Sequence, residues 1–234
     1  MSKSVNLLQE QIEYYRERAS EYDEWFFRQG RYDRGEAHRQ QWFTEIAEVE
    51  ALLRNTKPSD SILELACGTG LWTQHLAALA THVVAVDSSL EVIALNQTRV
   101  NSESVEYIVA DLFNWDPTEK FDLVFFGFWL SHVPMDRFVD FWQMVKDSLN
   151  PNGQVFFVDS LFDRTSPAIN HATLHQNGYS ERKLNDGRVY QVVKIFHEPA
   201  QLEKSLQNLG WCGQIHSTPT HFIYGSMCPK SLES

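Results

Sequence analysis

The sequence predicts an α/β protein in which a mostly parallel β-sheet is covered by helices on both faces. Short apolar segments alternate with helical ones between residues 61 and 158, which is the order of a βαβ chain. Within each segment apolar residues follow one another and do not alternate with polar ones, as expected of parallel strands that are buried on both faces. Glycine and acidic residues follow several of them, so one edge of the sheet is predicted to carry the functional groups.

An N-terminal segment, residues 1–57, is predicted to be helical and to precede the sheet. Its helical pattern covers residues 5–53 with a loop near 29–35, and it is rich in aromatic residues. The dipeptide Pro58-Ser59 ends this segment. The chain therefore divides into a helical part, 1–57, and a sheet domain, 58–234.

The sheet domain begins with five short apolar strands joined by helices and turns. A glycine-containing turn, 67–70, follows the first strand, and Pro151-Asn152-Gly153 forms a turn before the fifth. The predicted strands are 61–65, 82–86, 105–109, 122–126 and 154–158, and the predicted helices are 71–80, 90–100 and 135–149.

The rest of the chain departs from this βα order. Asn185-Asp186-Gly187 is a hairpin-type turn that leads into a strand over 188–196. A helix over 199–209 follows, and then an antiparallel pair of strands over 211–216 and 221–227. Residues 161–185 show no clear pattern, and 161–198 is predicted to be an insertion near the functional edge of the sheet.

Composition narrows the classes of function. The chain has 31 acidic and 20 basic residues, a net charge of −11, which disfavours binding to a nucleic acid backbone. No apolar run is long enough to span a bilayer, and the N-terminus has no signal-peptide pattern. Three scattered cysteines are too few for a disulfide framework or a zinc site. We therefore expect a cytoplasmic protein without a membrane or nucleic acid partner, and its oligomeric state is left open.

Ligands of open α/β sheets bind outside the carboxyl ends of the strands, so the residues that follow the strands form the candidate site. The small residues of the first such turn let the backbone approach a ligand closely. A carboxylate after the second strand can accept hydrogen bonds from both ribose hydroxyls, and one after the third can bind the adenine edge. The four segments are Glu64-Leu65-Ala66-Cys67-Gly68-Thr69-Gly70, Asp87 with Ser88, Ala110-Asp111-Leu112, and Phe126-Gly127-Phe128.

Other nucleotide sites fit this pattern less well. The NAD fingerprint requires a third glycine three positions after the second, where this chain has Thr73. The Gly-Lys-Ser/Thr sequence of a phosphate-binding P-loop is missing. A purely structural alternative is that Asp87 and Asp111 only cap the segments that follow them.

The segment Glu64–Gly70 resembles the first motif of class I S-adenosylmethionine (SAM)-dependent methyltransferases, with Ala66 in place of its first glycine. Asp87 resembles the ribose-binding acid of that family, and Ala110-Asp111-Leu112 resembles its adenine-binding motif. The resemblance implies a Rossmann-like, seven-stranded, mostly parallel sheet with an antiparallel last strand and an N-terminal helical lid. It also implies that SAM is the cofactor and S-adenosylhomocysteine (SAH) the product. The backbone of Ala66 and Gly68 would then face the methionine part, and the backbone near Phe126 and Gly127 its amino group.

The N-terminal Tyr14-Tyr15-x-x-Arg18-Ala19-x-x-Tyr22-Asp23 resembles the lid helix of small-molecule methyltransferases of this class. The resemblance implies that Tyr15, Arg18 and Tyr22 cover SAM, and the planar guanidinium of Arg18 suits a carboxylate. The alternative is that the tyrosines are the buried face of a packing helix.

Methyl transfer from a sulfonium is an in-line displacement, for which proximity and exclusion of water supply most of the rate. His132 is the candidate general base, because it follows the fourth strand and its ordinary pKa suits proton transfer at neutral pH. The alternative is that His132 only orients its loop. Asp159, just past the fifth strand, is predicted to face the substrate.

The acceptor is expected to be a small molecule, with an aromatic or heteroaromatic metabolite among the candidates and methylation at O or N. Trp25, Tyr32, Phe128 and Trp129 can form the walls of its pocket. His171 and His175 lack a third ligand, so no metal is expected. The alternative functions are a NAD-linked oxidoreductase and a non-catalytic SAM-binding regulator or partner subunit.

Overall fold

The computed structural model describes residues 3–57, 59–163, 165, 168 and 178–230. Seven α-helices and nine strands are formed within these ranges. The helices are α1 (Lys3–Glu17), α2 (Tyr22–Phe26), α3 (Glu36–Arg54), α4 (Thr73–Leu76), α5 (Leu90–Val100), α6 (Phe138–Asp147) and α7 (Pro199–Asn208). The strands are β1 (Ser61–Leu65), β2 (His82–Asp87), β3 (Val105–Val109), β4 (Phe121–Gly127), β5 (Leu149–Ser160), β6 (Tyr179–Lys183), β7 (Val189–Val193), β8 (Trp211–Ser217) and β9 (Phe222–Pro229).

Seven of the strands form one sheet in the order β3-β2-β1-β4-β5-β9-β8. Neighbours from β3 to β5 pair in parallel, whereas β9 is antiparallel to both β5 and β8. The prediction of a seven-stranded, mostly parallel sheet with an antiparallel last strand is thus confirmed. The strand order reverses between β1 and β4, and a crevice opens at the carboxyl ends of strands at such a switch point.

Two apolar layers cover the faces of this sheet, which is why its central strands are continuous runs of buried residues. On one face Phe126 and Phe157 pack against Trp142 of α6 and the adjoining Trp211. The other face packs against α3 and the turn before α4, with residues that include Trp42, Trp72, Phe125 and Phe156. Burial of these large side chains is the main favourable contribution to the folded state.

Most predicted boundaries agree with the structure to within a few residues, and three differ for a local reason. The helix predicted over 71–80 is α-helical only from Thr73 to Leu76, because the following turns close with i+3 hydrogen bonds such as Leu79 N to Leu76 O. The helix predicted from 135 begins at Phe138, after similar tight turns. The predicted turn 151–153 lies inside β5, where Asn152 has φ of 68° and the register against β4 shifts.

The predicted hairpin around 185–187 is confirmed, and it contains one strand, β6, that the sequence pattern did not reveal. β6 and β7 form a separate antiparallel two-stranded sheet. This hairpin lies against α1, where the Gln11 Oε1 atom accepts a hydrogen bond from Val193 N at 3.0 Å. Tyr14 packs there with Leu184, Tyr190 and Val192, so this tyrosine is part of a buried packing face.

None of the helices in the described ranges is long and apolar enough to cross a membrane.

Candidate active site

A cavity of about 720 Å³ opens at the carboxyl ends of β1, β2 and β4, between the sheet and helix α1. It contains both acidic residues of the predicted nucleoside site, so Asp87 and Asp111 face one common cleft. Nine of the predicted cofactor residues line this cavity: Tyr15, Tyr22, Ala66, Gly68, Asp87, Ser88, Asp111, Leu112 and Gly127.

The turn after β1 is held in a left-handed conformation that leaves its backbone open to the cavity. Ala66, Gly68 and Gly70 have φ values of 54°, 55° and 89°. Glycine adopts this region without penalty, whereas Ala66 does so at a cost of about 1 kcal/mol. The turn therefore keeps its bend although alanine replaces the first glycine of the motif.

Asp87 connects this turn to the end of β2. Its Oδ2 atom accepts a hydrogen bond from Gly68 N at 3.0 Å, and its Oδ1 atom accepts one from Ser89 N at 3.0 Å. Burial raises the pKa of Asp87, and these backbone donors oppose that rise. Each carboxylate oxygen keeps a second lone pair, which is what a ribose diol requires of its acceptor.

Asp111, which follows β3, also lines the cavity. Its Oδ1 atom accepts from Phe113 N at 3.1 Å, and its Oδ2 atom accepts from Asn114 Nδ2 at 2.6 Å. Phe113 and Trp129 lie beside it with ring centroids 5.5 Å apart, and the indole N–H of Trp129 is buried without a hydrogen-bond partner among the described residues. Apolar walls with an acid at one end match the shape and polarity of adenine, so the residues present fit SAM.

Four predicted cofactor residues lie outside this cavity. The side chain of Phe126 is part of the core. Successive residues of β4 face opposite sides of the sheet, and the next residue, Gly127, lines the cavity. Glu64 is buried beneath the turn, where burial raises its pKa to about 8 and Thr73 opposes the rise. Gly70 packs against Asn96, which leaves no room for a side chain. Arg18 lines a neighbouring cavity instead.

That second cavity, of about 580 Å³, adjoins the first and is the candidate acceptor site. The two cavities share Tyr15, Tyr22, Phe128 and His132. Of the predicted substrate residues, Trp25, Tyr32 and Phe128 line the second cavity, whereas Trp129 lines the first. The full lining is Tyr14, Tyr15, Arg18, Tyr22, Trp25, Tyr32, Phe128, His132, Ser160, Arg182, Lys194 and Phe196.

Asp159 was predicted to face the substrate but is buried beneath the acceptor cavity, with 1% of its surface exposed. Its Oδ2 atom accepts a hydrogen bond from Ser131 N at 2.8 Å, and its Oδ1 atom lies 3.6 Å from Lys194 Nζ. Its side chain turns inward because Ser131 N and Lys194 satisfy its charge there. Asp159 therefore positions Lys194 rather than the acceptor.

Three cationic side chains converge on the acceptor cavity: Arg18 of the N-terminal segment, Arg182 of β6 and Lys194 after β7. Arg18 is 7% exposed, and its Nη2 atom donates to Tyr32 Oη at 3.3 Å. Lys194 Nζ donates to Ser131 Oγ at 2.7 Å. Burial lowers the pKa of Lys194 to about 8, against the opposing effect of the Asp159 carboxylate.

Sequence reasoning missed Arg182 and Lys194. Both belong to the hairpin of β6 and β7, whose polar residues look solvent-exposed in the sequence. The predicted turn at 185–187 was the only local signal, because it implies that residues on either side of it face each other.

His132 lies where the two cavities meet, and its hydrogen bonds define its tautomer. Its Nδ1 atom lies 2.6 Å from the carbonyl oxygen of Val193, which can only accept, so Nδ1 carries the proton. Its Nε2 atom is then an acceptor, and the Tyr15 hydroxyl donates a hydrogen bond to it at 2.8 Å. Burial, together with the nearby charge of Lys194, keeps the pKa of His132 well below its ordinary value. His132 is therefore neutral at pH 7 and faces the acceptor cavity through Tyr15.

A cluster of possible metal ligands lies elsewhere, at His38, Asp163 and His221. His221 Nδ1 lies 3.0 Å from Asp163 Oδ2, and the Thr165 hydroxyl lies between Asp163 and His38. Asp163 also faces the buried guanidinium of Arg28. We assign no metal to this cluster, because its one carboxylate already balances that cation. His171 and His175 lie outside the described residues.

Comparison with known proteins identifies the family. The profile of the family described as a methyltransferase domain matches residues 62–153. Phosphoethanolamine N-methyltransferase of Triticum aestivum is 31% identical over 174 residues, which are 69% of this chain and 31% of that protein. Phosphoethanolamine N-methyltransferase 1 of Zea mays is 34% identical over 167 residues, 66% of this chain and 30% of that protein. The chain thus spans about a third of the length of these curated relatives.

Two solved structures match over nearly their whole length. The chain of the DhpI-SAH complex is 36% identical in sequence to this one. The match covers 96% of this chain and 97% of that chain, with a TM-score of 0.78. The chain of the DhpI-SAM-HEP complex is also 36% identical in sequence. That match covers 98% of this chain and 100% of that chain, with a TM-score of 0.79. These matches agree with the cofactor cavity described above and exclude a NAD-linked oxidoreductase. The chain belongs to the class I SAM-dependent methyltransferases and is an enzyme of that family.

Proposed function

We propose that this enzyme transfers the methyl group of SAM to an oxygen or nitrogen atom of a small metabolite that carries a phosphate- or phosphonate-type anion. One observation carries the proposal: Arg18, Arg182 and Lys194 converge on a cavity that adjoins the cofactor cavity. The whole chain has a net charge of −11, so this local excess of positive charge runs against its composition.

An anionic acceptor is favoured by the charge balance of the cavity. Among the residues that the structure describes, no carboxylate lines it, and the nearby Asp159 lies 3.6 Å from Lys194. Cationic side chains that face one cavity repel one another, and the sulfonium of SAM would add a further positive charge next to them. A phosphate-type group would offset these charges, since a guanidinium binds its oxygens in pairs.

The names of the curated relatives support the same class of acceptor. Phosphoethanolamine, named for the Triticum aestivum and Zea mays enzymes, carries a phosphate and an amine. The aromatic acceptor expected from the sequence remains a second candidate. It is favoured by Trp25, Tyr32 and Phe128, which line the same cavity. A ring that carries an anionic group would satisfy both features.

The side chains that line both cavities suggest how the chain assists the transfer. Bound SAM would supply a methyl group on a positively charged sulfur, and SAH would leave as the acceptor atom bonds to the methyl carbon in line with the breaking C–S bond. The cations hold the acceptor anion, and the aromatic walls exclude water. An acceptor hydroxyl or protonated amine must also lose a proton. Tyr15 can accept that proton while passing its own hydroxyl proton to Nε2 of His132, which releases the proton again after the transfer because its pKa lies well below the ordinary value.

Replacement of Tyr15 by phenylalanine tests this proton relay. We expect kcat to fall about 100-fold, because general-base assistance contributes at least this much, while the Kd for SAM changes less than about threefold. Tyr14→Phe is the matched control, since its hydroxyl is buried without a hydrogen-bond partner in the described part of the chain. Steady-state kinetics and calorimetry measure both quantities. A Tyr15→Phe enzyme with normal kcat would leave His132 a structural role only.

The pH dependence of acceptor binding tests the role of Lys194. Its pKa of about 8 means that the ammonium is charged below pH 8 and loses its charge as the pH rises through that value. Tyr15, Tyr22 and His132 stay neutral across this range, because burial raises the first two pKa values and lowers the third. We therefore expect the KM for the acceptor to rise about tenfold between pH 7 and pH 9. In Lys194→Arg the rise should be absent, and a rise of equal size would assign it to another group.

The proposed acceptor class is tested with matched pairs of substrates. SAH formation is measured with phosphoethanolamine against ethanolamine, with a short hydroxyalkylphosphonate against the corresponding alcohol, and with a phenol. We expect the anionic member of a pair to be preferred at least about 100-fold in kcat/KM, as for an ion pair in a desolvated site. Inorganic phosphate should compete with the acceptor and not with SAM. Faster turnover of the uncharged phenol would overturn the proposal in favour of the aromatic candidate.

A further inference from the structure

Two of the three cysteines, far apart in the sequence, meet at the outer edge of the sheet. Cys212 of β8 is directly opposite Cys228 of β9 in the antiparallel ladder. Their sulfur atoms lie 3.1 Å apart, and both residues are partly exposed. The sequence pattern gave no sign of this proximity, which arises because β8 and β9 pair as an antiparallel hairpin.

We propose that Cys212 and Cys228 form a disulfide when the protein meets a thiol oxidant such as a low-molecular-weight disulfide. The two thiols lose two protons and two electrons as the new S–S bond forms, and the oxidant is reduced to two thiols. Residues directly opposite in an antiparallel pair have Cα atoms about 4.5–5.5 Å apart, which lies within the range of disulfides. The bond can thus close without displacement of either strand.

The neighbouring backbone favours this pairing. Gly213 follows Cys212 with φ of 146°, and a side chain there would collide with the Ser226 carbonyl oxygen. The glycine thus lets β8 approach β9 closely beside the cysteine pair. Burial raises the pKa of the Cys228 thiol, and its neighbour Cys212 raises it further, while the charge of Lys57 lowers it. The pair should therefore react slowly with an oxidant at neutral pH and faster in alkaline solution.

The position of the pair predicts what oxidation does. β8 is the outermost strand of the seven-stranded sheet. The bond would therefore hold an edge strand, where local unfolding of a sheet starts. In the register of β5 against β9, Met227 pairs with Val155, and Phe222 pairs with Ser160 at the acceptor cavity. Cys228 thus lies at the end of β9 away from that cavity. Oxidation should stabilise the sheet and leave methyl transfer unchanged.

The test compares the reduced full-length protein with the same protein after incubation with oxidised glutathione. Intact mass and alkylation of the unfolded chain should show three reactive thiols before oxidation and one, Cys67, afterwards. Thermal unfolding should shift upward by about 5 °C on oxidation and return with a reductant. The variant Cys212→Ser should retain every remaining thiol and show no shift.

The other outcomes decide against the proposal. Three alkylated thiols after oxidation, a glutathione adduct on either cysteine, or a disulfide-linked dimer would each show that the intramolecular bond does not form. A bond that involves Cys67 would also overturn it, and loss of SAM binding on oxidation would reveal that case, because Cys67 belongs to the cofactor turn.

Discussion

Replacement of Asp87 by alanine is expected to weaken SAM binding about 100-fold, the largest effect of any single cofactor residue. The carboxylate is the candidate partner of both ribose hydroxyls, and hydrogen bonds to a charged group contribute about 1.5–3 kcal/mol each. Its oxygens also accept hydrogen bonds from Gly68 N and Ser89 N, so the substitution removes two hydrogen bonds that fix the backbone of the site. Calorimetric titration with SAM and with SAH measures the loss.

Glu106→Ala is the matched control, because Glu106 is an exposed acid on the neighbouring strand β3. It should bind SAM with unchanged Kd. Asp87→Asn separates charge from shape, and we expect it to bind about as weakly as the alanine variant. The melting temperature without ligand identifies any variant that fails to fold. If Asp87→Ala is folded and binds SAM normally, Asp87 only caps the segment that follows β2.

Replacement of Lys194 by methionine is expected to raise the KM of the acceptor about 100-fold while the Kd for SAM stays within about threefold. The ammonium supplies one of the three charges that face the acceptor anion, and removal of one partner of a desolvated ion pair costs at least about 3 kcal/mol. Lys194→Arg should restore most of the affinity, because it keeps the charge. Initial rates at varied acceptor concentration measure this effect.

Lys183→Met provides the control for this experiment. Lys183 is exposed and lies next to Arg182 on the same strand, so its side chain points to the opposite face of β6. Its removal subtracts the same charge from the protein but not from the cavity. If Lys183→Met and Lys194→Met raise the KM equally, the effect is one of overall charge, and the proposed anion site is wrong.

The order of strands could be predicted because it depends on local patterns. The strand at 61–65, the helix at 90–100 and the strand at 105–109 agree with the structure to the residue, since each is a short apolar or amphipathic run bounded by turn residues. Helix ends were less predictable. The turns around α4 and before α6 tighten through i+3 hydrogen bonds, which leave no signal in composition.

The cofactor half of the site was also accessible from the sequence. Ala66, Gly68, Asp87 and Asp111 follow consecutive strands, and parallel strands bring their carboxyl ends to one edge. Arg18 illustrates the limit of this reasoning. The resemblance to methyltransferase lid helices predicted that it covers SAM, but in the structure it lines the acceptor cavity instead of the cofactor cavity.

The sequence by itself determined the sheet and its edge of small and acidic residues, because these features recur at the spacing of successive strands, and the resemblance of that edge to class I methyltransferase motifs indicated the cofactor. Only the tertiary structure decided the charge of the acceptor cavity and the pairing of Tyr15 with His132. Arg18 lies far from Arg182 and Lys194 in the chain, and the convergence of the three depends on how the hairpin of β6 and β7 packs on α1. Long-range packing of this kind follows from the complementarity of whole surfaces, which no local pattern encodes.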